Sequence, residues 1–172
     1  MKFEYMSMED MLELLGLLED DDSEHFSDRT TKIAEHKEAY LRLDSFYCSE
    51  NYLLFQPYAD KLDNRKSYSL RDCGVDIHIQ RLSEFEIADY ELIIGYSSGA
   101  EVIKVPWIKF VMDHDKKIAV PCYFQNDELH YYSHILDEKY VCDYAALNLA
   151  DSQLHFSLLH LNELSTTNET FK

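Results

Sequence analysis

The chain concentrates β-branched and aromatic residues, with its single tryptophan, in residues 88–123, which read ADYELIIGYSSGAEVIKVPWIKFVMDHDKKIAVPCY. Two β-prone runs, 92–96 and 100–105, flank Ser-Ser-Gly, and a short glycine-containing loop between such runs is typical of a hairpin. Pro106 lacks a backbone donor, so it is predicted to limit the second strand. Residues 107–112 fit either a continued strand or a short helix. This region predicts the centre of a sheet.

A second hairpin is expected directly after this region. Residues 118–124 and 129–135 form two further β-prone arms in the sequence. Asn126 and Asp127 lie between them and tolerate the left-handed backbone that a tight turn needs. Pro121 lies inside the first arm and predicts an edge position or a β-bulge there.

Four other segments complete the predicted sheet and its connections. Residues 75–80 alternate apolar and polar side chains and give the clearest strand pattern. Residues 51–55 are predicted as a strand that ends before Pro57, and residues 60–71 as a polar turn. Residues 138–143 are predicted as one more strand.

Three helices are predicted around the sheet. The first begins at Ser7 with capping-box chemistry, and its apolar face consists of Met8, Met11, Leu12, Leu15 and Leu18. The second covers residues 31–43. The last begins with Asp151 as its N-cap, carries a line of leucines at helical spacing, and is followed by a polar tail over residues 166–172. These patterns predict a single α+β domain over residues 1–172, with a central, mostly antiparallel sheet built from hairpins and flanked by an N-terminal and a C-terminal helix.

The charge of the chain limits its partners. Asp and Glu number 33 against 16 Lys and Arg, which gives a formal net charge of −17. Such a charge repels nucleic acid and anionic lipid but suits a basic partner, although it can also serve solubility alone. The acids are densest over residues 19–30, which include Asp20, Asp21 and Asp22 and are predicted as an acidic loop.

The cysteine pattern and the first residues indicate a compartment. The four cysteines form no CxxC pair, so free thiols in a reducing environment are expected. The N-terminal sequence MKFEYMSMED lacks the basic segment of a secretory signal peptide. No apolar run approaches the roughly 20 residues of a membrane helix. We therefore expect a cytoplasmic protein.

Acidic and aromatic residues interleave over residues 84–101, and this is the predicted partner-binding region. Carboxylates accelerate encounter with a basic protein and fix its register, while aromatic side chains supply desolvated anchors. A solvated sheet edge would show the same pattern. The predicted partner-binding residues are Glu84, Glu86, Asp89, Tyr90, Glu91, Tyr96 and Glu101, together with Asp20, Asp21 and Asp22.

Candidate catalytic or metal-binding residues are few. His130 and His134 are four residues apart, which would suit one metal on a helix, but on the strand expected here they are about 13 Å apart. His114 and Cys122 could form a Cys/His pair, but no nucleophile motif surrounds Cys122. Asp76 and His78 share one side of a strand, as surface residues often do. No cofactor or metal is expected.

The type of the chain, which is small, acidic, tyrosine-rich and without a catalytic motif, is similar to bacterial immunity proteins and to protein inhibitors that mimic nucleic acid. This resemblance rests on composition alone. It implies a non-enzymatic protein that neutralises a basic partner, such as a toxin nuclease. Two alternatives stay open: a small enzyme that uses His114, Cys122 or the His130 region, and a structural or regulatory oligomer that docks through the N-terminal Met/Leu helix. The sequence leaves the oligomeric state open.

Overall fold

The computed structural model describes residues 22–62 and 67–170, with side chains over 27–62 and 67–166. The predicted helix from Ser7, together with Asp20 and Asp21, lies outside the described residues. The described elements, in chain order, are α1 (Asp22–Tyr40), α2 (Cys48–Leu62), β1 (Ser67–Asp72), β2 (Val75–Arg81), β3 (Tyr90–Ser98), β4 (Glu101–Asp113), β5 (Ile118–Asn126), β6 (Tyr131–His134) and α3 (Tyr144–Thr170).

The six described strands form one antiparallel sheet in the order β1-β2-β3-β4-β5-β6. Each strand therefore pairs with its neighbour in sequence, and the predicted α+β class with a hairpin-built sheet is confirmed. Both predicted central hairpins are present. In the first, Ser98 pairs with Glu101 across a turn in which Gly99 adopts a φ of 66°, a value that glycine reaches without steric cost.

Two prolines in the sheet occur at irregular places in the strand pairing. Pro106 was expected to limit its strand, but β4 continues through it to Asp113. The register shifts opposite this proline, between Ile93 and Gly95, so a residue without an N–H is accommodated there. Pro121 matches its prediction, because a second register shift leaves the adjacent Cys122 without a partner on β4.

The hydrophobic core lies between one face of the sheet and helices α2 and α3. The ring of Phe55 on α2 lies 4.9 Å from that of Tyr90 and 4.8 Å from that of Phe110, measured between centroids. From α3, Leu154, Leu158 and Leu161 are fully buried, as the leucine line predicted. The sheet contributes the fully buried side chains Ile77, Ile79, Leu92, Ile108 and Phe124.

The prediction of a strand over residues 51–55 is wrong, because Cys48–Leu62 is a helix with Pro57 inside it. Its buried residues are spaced three and four apart, which is helical periodicity: Asn51, Tyr52, Phe55, Tyr58, Ala59 and Leu62. The β-prone run is therefore one face of an amphipathic helix, and tertiary packing overrides the preference of its individual residues.

Other segments that were predicted as loop or strand also differ. The predicted acidic loop is helical from residue 22 onward, and the exposed pair of Lys32 and Asp28, 2.7 Å apart and four residues apart in sequence, supports that helix. Residues 138–143 lie outside the named strands, with one isolated bridge between Leu136 and Cys142. Residues 67–71 belong to β1 rather than to a turn.

Helix α3 differs from its prediction at both ends. It begins at Tyr144 rather than at Asp151, and it extends to Thr170 through most of the predicted polar tail. Asp143 caps it, because its Oδ1 accepts a hydrogen bond from the backbone N–H of Ala146 at 3.0 Å. Within the described residues, no helix combines the length and the apolar character needed to cross a membrane.

Candidate partner-binding surface

The connection between β2 and β3 presents one exposed part of the predicted acidic and aromatic region. Glu84 and Glu86 are exposed, and Phe85 between them is 42% exposed. The backbone N–H of Glu86 donates to the carbonyl of Ser83 at 3.0 Å, so the three side chains project from a tight turn. We call residues 84–86 the acidic turn.

A cleft of about 310 Å³ opens beside the acidic turn. Arg29 and Ile33 of α1 line one side of it, and the sheet residues Lys109, Tyr123 and His134 line another. Asp22 begins α1 two turns before Arg29, roughly 10 Å along the helix axis. The fold therefore brings Arg29 and Ile33 of α1 to the cleft beside the acidic turn, although more than fifty residues separate them from it in sequence.

Asp89 holds α1 against the sheet. Its Oδ1 lies 2.7 Å from Nζ of Lys37, and the two side chains are only 29% and 26% exposed. Its Oδ2 accepts a hydrogen bond from the backbone N–H of Met112 at 2.9 Å. Both carboxylate oxygens are thus engaged inside the protein, and Asp89 serves the fold more directly than it serves a partner.

Tyr90 and Glu91 do not lie on the surface, which corrects their prediction as partner contacts. Tyr90 is 5% exposed within the core, and Glu91 is 6% exposed on the other face of β3. Glu91 accepts hydrogen bonds from Nε1 of Trp107, at 2.9 Å, and from the side-chain amide of Gln80. The prediction rested on the interleaved acids and aromatics alone. In the fold β3 lies between β2 and β4, and the side chains of Tyr90 and Glu91 are buried on its opposite faces.

Tyr96 and Glu101 lie at the far end of the β3–β4 hairpin. Eight residues of extended chain separate Tyr90 from Ser98, which is roughly 27 Å. The phenol of Tyr96 donates to Oε1 of Glu128 at 2.9 Å, and this bond raises the pKa of the phenol. Glu101 is exposed at the hairpin end. The exposed residues among the predicted partner-binding residues therefore lie in two separate acidic regions, the acidic turn and the end of the β3–β4 hairpin.

The imidazole and thiol groups considered for catalysis lie in different places. Nδ1 of His114 is 3.2 Å from the Tyr52 hydroxyl, and His114 lines a second cleft, of about 300 Å³, with Lys37 and Asp89. Cys122 borders the first cleft instead, and burial raises the pKa of its thiol to about 12. At neutral pH this group is a thiol rather than the nucleophilic thiolate.

The two histidines four residues apart also serve different local structures. His130 adopts a φ of 49° in the turn before β6, and His134 ends β6 with its ring 5.0 Å from that of Tyr123. Over residues 22–62 and 67–170, no group of three or more His, Cys, Asp or Glu side chains is placed to hold a metal ion.

Comparison with known proteins gives no parallel. No protein-family model, curated protein or solved structure matches the chain.

Sequence reasoning missed the outward face of α2 and α3. Large apolar side chains are exposed on it, among them Leu53 at 63% and Phe156 at 58%. The signal was available in the helical spacing of residues 51–62, but the reading of residues 51–55 as a strand concealed it. Sequence reasoning also missed the outer sheet face, where Nζ of Lys104 lies 3.7 Å from the ring centroid of Trp107.

Proposed function

We propose that this protein is a non-enzymatic acidic binding protein that neutralises a basic partner, in the manner of an immunity protein or a nucleic-acid mimic. The proposed partner is a toxin nuclease or another nucleic-acid enzyme. The observation that carries the proposal is the acidic turn, in which exposed Phe85 lies between two exposed carboxylates beside a cleft bordered by α1.

The physical argument combines long-range and short-range effects. A net charge of −17 draws a basic protein toward the surface and repels nucleic acid and anionic lipid. At short range, Phe85 offers an aromatic anchor, and Glu84 and Glu86 offer charge-assisted bonds to Lys or Arg around it. Within the cleft, Nζ of Lys109 lies 3.8 Å from Oε2 of Glu86, and Arg29 also lines the cleft and can bind a carboxylate of the partner.

The free cysteines are compatible with a reducing compartment, and we propose that the protein acts in the cytoplasm. All four are free thiols, including the exposed Cys73 and the buried Cys122. Free cysteines persist where glutathione and thioredoxin keep thiols reduced.

The test begins with capture of a partner from the source cells at low salt, followed by its purification. The association rate with the full chain is then measured by stopped flow at about 20 mM and about 500 mM salt. Electrostatic steering predicts a fall of about tenfold or more over this range. A combined E84Q, F85A and E86Q variant is expected to weaken the affinity by about tenfold or more.

The matched control removes the same charge elsewhere. Asp115 and Glu138 are exposed, so a combined D115N and E138Q variant also lowers the net negative charge by two. It should change the affinity far less than the variant of the acidic turn. An association rate that does not depend on salt, or equal effects of the two variants, contradicts the proposal.

A further inference from the structure

The outward face of α2 and α3 is unusually apolar. Phe46, in the loop before α2, is 83% exposed, and Leu53 on α2 is 63% exposed. On α3, Phe156 is 58% exposed and Leu159 is 37% exposed. Exposed side chains of this size are ordinary when scattered singly, but a contiguous group marks an interaction site. We call these four residues the apolar patch.

Contacts between the two helices show that the patch is contiguous. The Phe46 ring lies 4.7 Å from that of Tyr47, which stacks on His155 at 4.1 Å, and His155 contacts Phe156 at 5.7 Å, all between centroids. One continuous row of rings thus joins the start of α2 to α3.

The helical register places Leu53 beside Leu159. Oε2 of Glu50 lies 3.6 Å from Nε2 of His155. Further along both helices, the Tyr58 hydroxyl bonds to Ser165 at 2.9 Å, so the helices run in the same direction. Leu53 is three residues after Glu50, and Leu159 is four after His155, so each lies one turn beyond that contact.

The two helices that form the patch carry more carboxylates than Lys or Arg side chains. Tyr144–Thr170 contains no Lys or Arg, and the one basic residue of Cys48–Leu62 is Lys61, whose Nζ lies 5.5 Å from the ring centroid of Tyr58. Carboxylates occupy positions within about two helical turns of the patch: Asp44, Glu50, Asp60 and Glu163. An apolar centre with an acidic rim complements a surface of apolar residues flanked by Lys and Arg.

We infer that the apolar patch binds an amphipathic helix of a partner protein, with apolar residues on one side and Lys or Arg on its flanks. A second copy of this chain fits poorly, because its own net charge of −17 would oppose association. Residues 1–21 carry seven Asp or Glu and one Lys, so the charge of this segment does not complement an acidic rim. The patch is formed by different elements from the acidic turn, and the inference does not rest on the proposed function.

The test uses the full chain and a dye-labelled peptide of about 18 residues, composed of Leu and Lys at the spacing of an amphipathic helix. Fluorescence anisotropy at about 150 mM salt gives its dissociation constant. We expect saturable binding that weakens by about tenfold or more in a combined L53S and F156S variant. A peptide of the same composition in scrambled order, with no apolar face, should bind weakly to both proteins.

The matched control changes apolar residues of similar exposure elsewhere. Leu129 is 65% exposed and Val102 is 59% exposed, and both lie in the sheet hairpins. A combined V102S and L129S variant should bind the peptide as the unchanged chain does. Circular dichroism and the melting temperature of each variant show that it is folded before its binding is compared.

Several outcomes overturn the inference. Equal affinity for the ordered and scrambled peptides would mean that charge alone drives binding. A dimer in analytical ultracentrifugation that F156S dissociates would identify a second copy as the occupant, and binding of lipid vesicles that F156S abolishes would identify a membrane. If the apolar patch and the acidic turn are independent, the E84Q, F85A and E86Q variant keeps its affinity for the peptide. A failure of this inference can therefore be distinguished from a failure of the proposed function.

Discussion

Asp151 is a buried carboxylate that ties three segments of the chain together. It is 1% exposed. It accepts hydrogen bonds from the backbone N–H of Tyr47 at 2.7 Å, the hydroxyl of Ser45 at 3.2 Å and Nδ2 of Asn51 at 2.9 Å. Burial raises the pKa of the Asp151 carboxyl despite these bonds, which act in the opposite direction.

We expect D151A to lower the free energy of unfolding by about 3 kcal/mol, because three donors lose their acceptor inside the protein. Urea denaturation at pH 7 measures the change. D151N is the matched control, because its side-chain oxygen can still accept part of these bonds, and it should cost clearly less. Equal costs for D151A and D151N would contradict this explanation.

The raised pKa of Asp151 also fixes the sign of a pH effect. A carboxyl whose pKa is higher in the folded protein contributes stability below its unfolded pKa, about 3.9, and loses it as the pH rises through the folded value. D151N does not titrate. Its stability relative to the unchanged chain should therefore improve as the pH rises from about 4 to about 7, and a difference that stays constant would contradict the pKa shift.

Asp151 also shows why sequence reasoning failed at single residues. An Asp before a leucine-rich run is a typical N-cap, and the residue was assigned that role. Its actual donors, Ser45, Tyr47 and Asn51, come from about a hundred residues earlier. No local pattern encodes such a contact. The residue that does cap the helix is Asp143, directly before its first residue.

At the scale of elements, the hairpins were predictable and α2 was not. Each hairpin is specified by neighbouring residues, such as the glycine turn before Glu101, because its strands pair with what comes next in sequence. Helix α2 contains Tyr52, Phe55 and Pro57, whose individual preferences favour strand or turn. The helix forms because its buried face packs against β5 and α3. These elements are distant from α2 in sequence.

Among the described glycines, Gly95 has the least room for a side chain. A Cβ built there would lie 2.6 Å from the backbone carbonyl oxygen of Ile103 on the neighbouring strand. This is closer than carbon and oxygen can approach, and a backbone atom cannot move aside as the end of a side chain can. The register of the β3–β4 pairing also shifts beside Gly95.

We expect G95A to lower the free energy of unfolding by about 2 to 3 kcal/mol, because β3 and β4 must separate locally. Chemical denaturation measures the loss. S97A, two residues further along β3 at an exposed position, should change stability by no more than about 0.5 kcal/mol. If G95A matches S97A in stability, the close approach of the strands is wrong.

At the scale of the whole molecule, sequence composition predicted the charge but not its placement. The acidic and aromatic residues are continuous in sequence, yet Tyr90 and Glu91 are buried while Glu84 and Glu86 are exposed. Strand pairing on both sides of β3 causes this division. Arg29 and Ile33 of α1 reach the cleft beside the acidic turn only through tertiary packing, which the sequence does not reveal.

The overall charge also has a consequence for stability. At a net charge of −17, carboxylates repel one another in the folded protein, and salt screens this repulsion. Ion pairs that join Lys or Arg to Asp or Glu oppose the effect, but several of them, such as Lys32 with Asp28 and Arg42 with Glu38, are largely exposed and contribute little. Repulsion should therefore dominate the response to salt.

We expect the melting temperature at pH 7 to rise by a few degrees as NaCl increases from about 20 mM to about 300 mM, because the Debye length falls from roughly 20 Å to below 10 Å. Differential scanning calorimetry measures the rise. KCl at the same ionic strength is the control, since screening does not depend on which monovalent cation is present. A melting temperature that falls with salt would mean that the ion pairs, and not the excess carboxylates, govern the electrostatic stability of the fold.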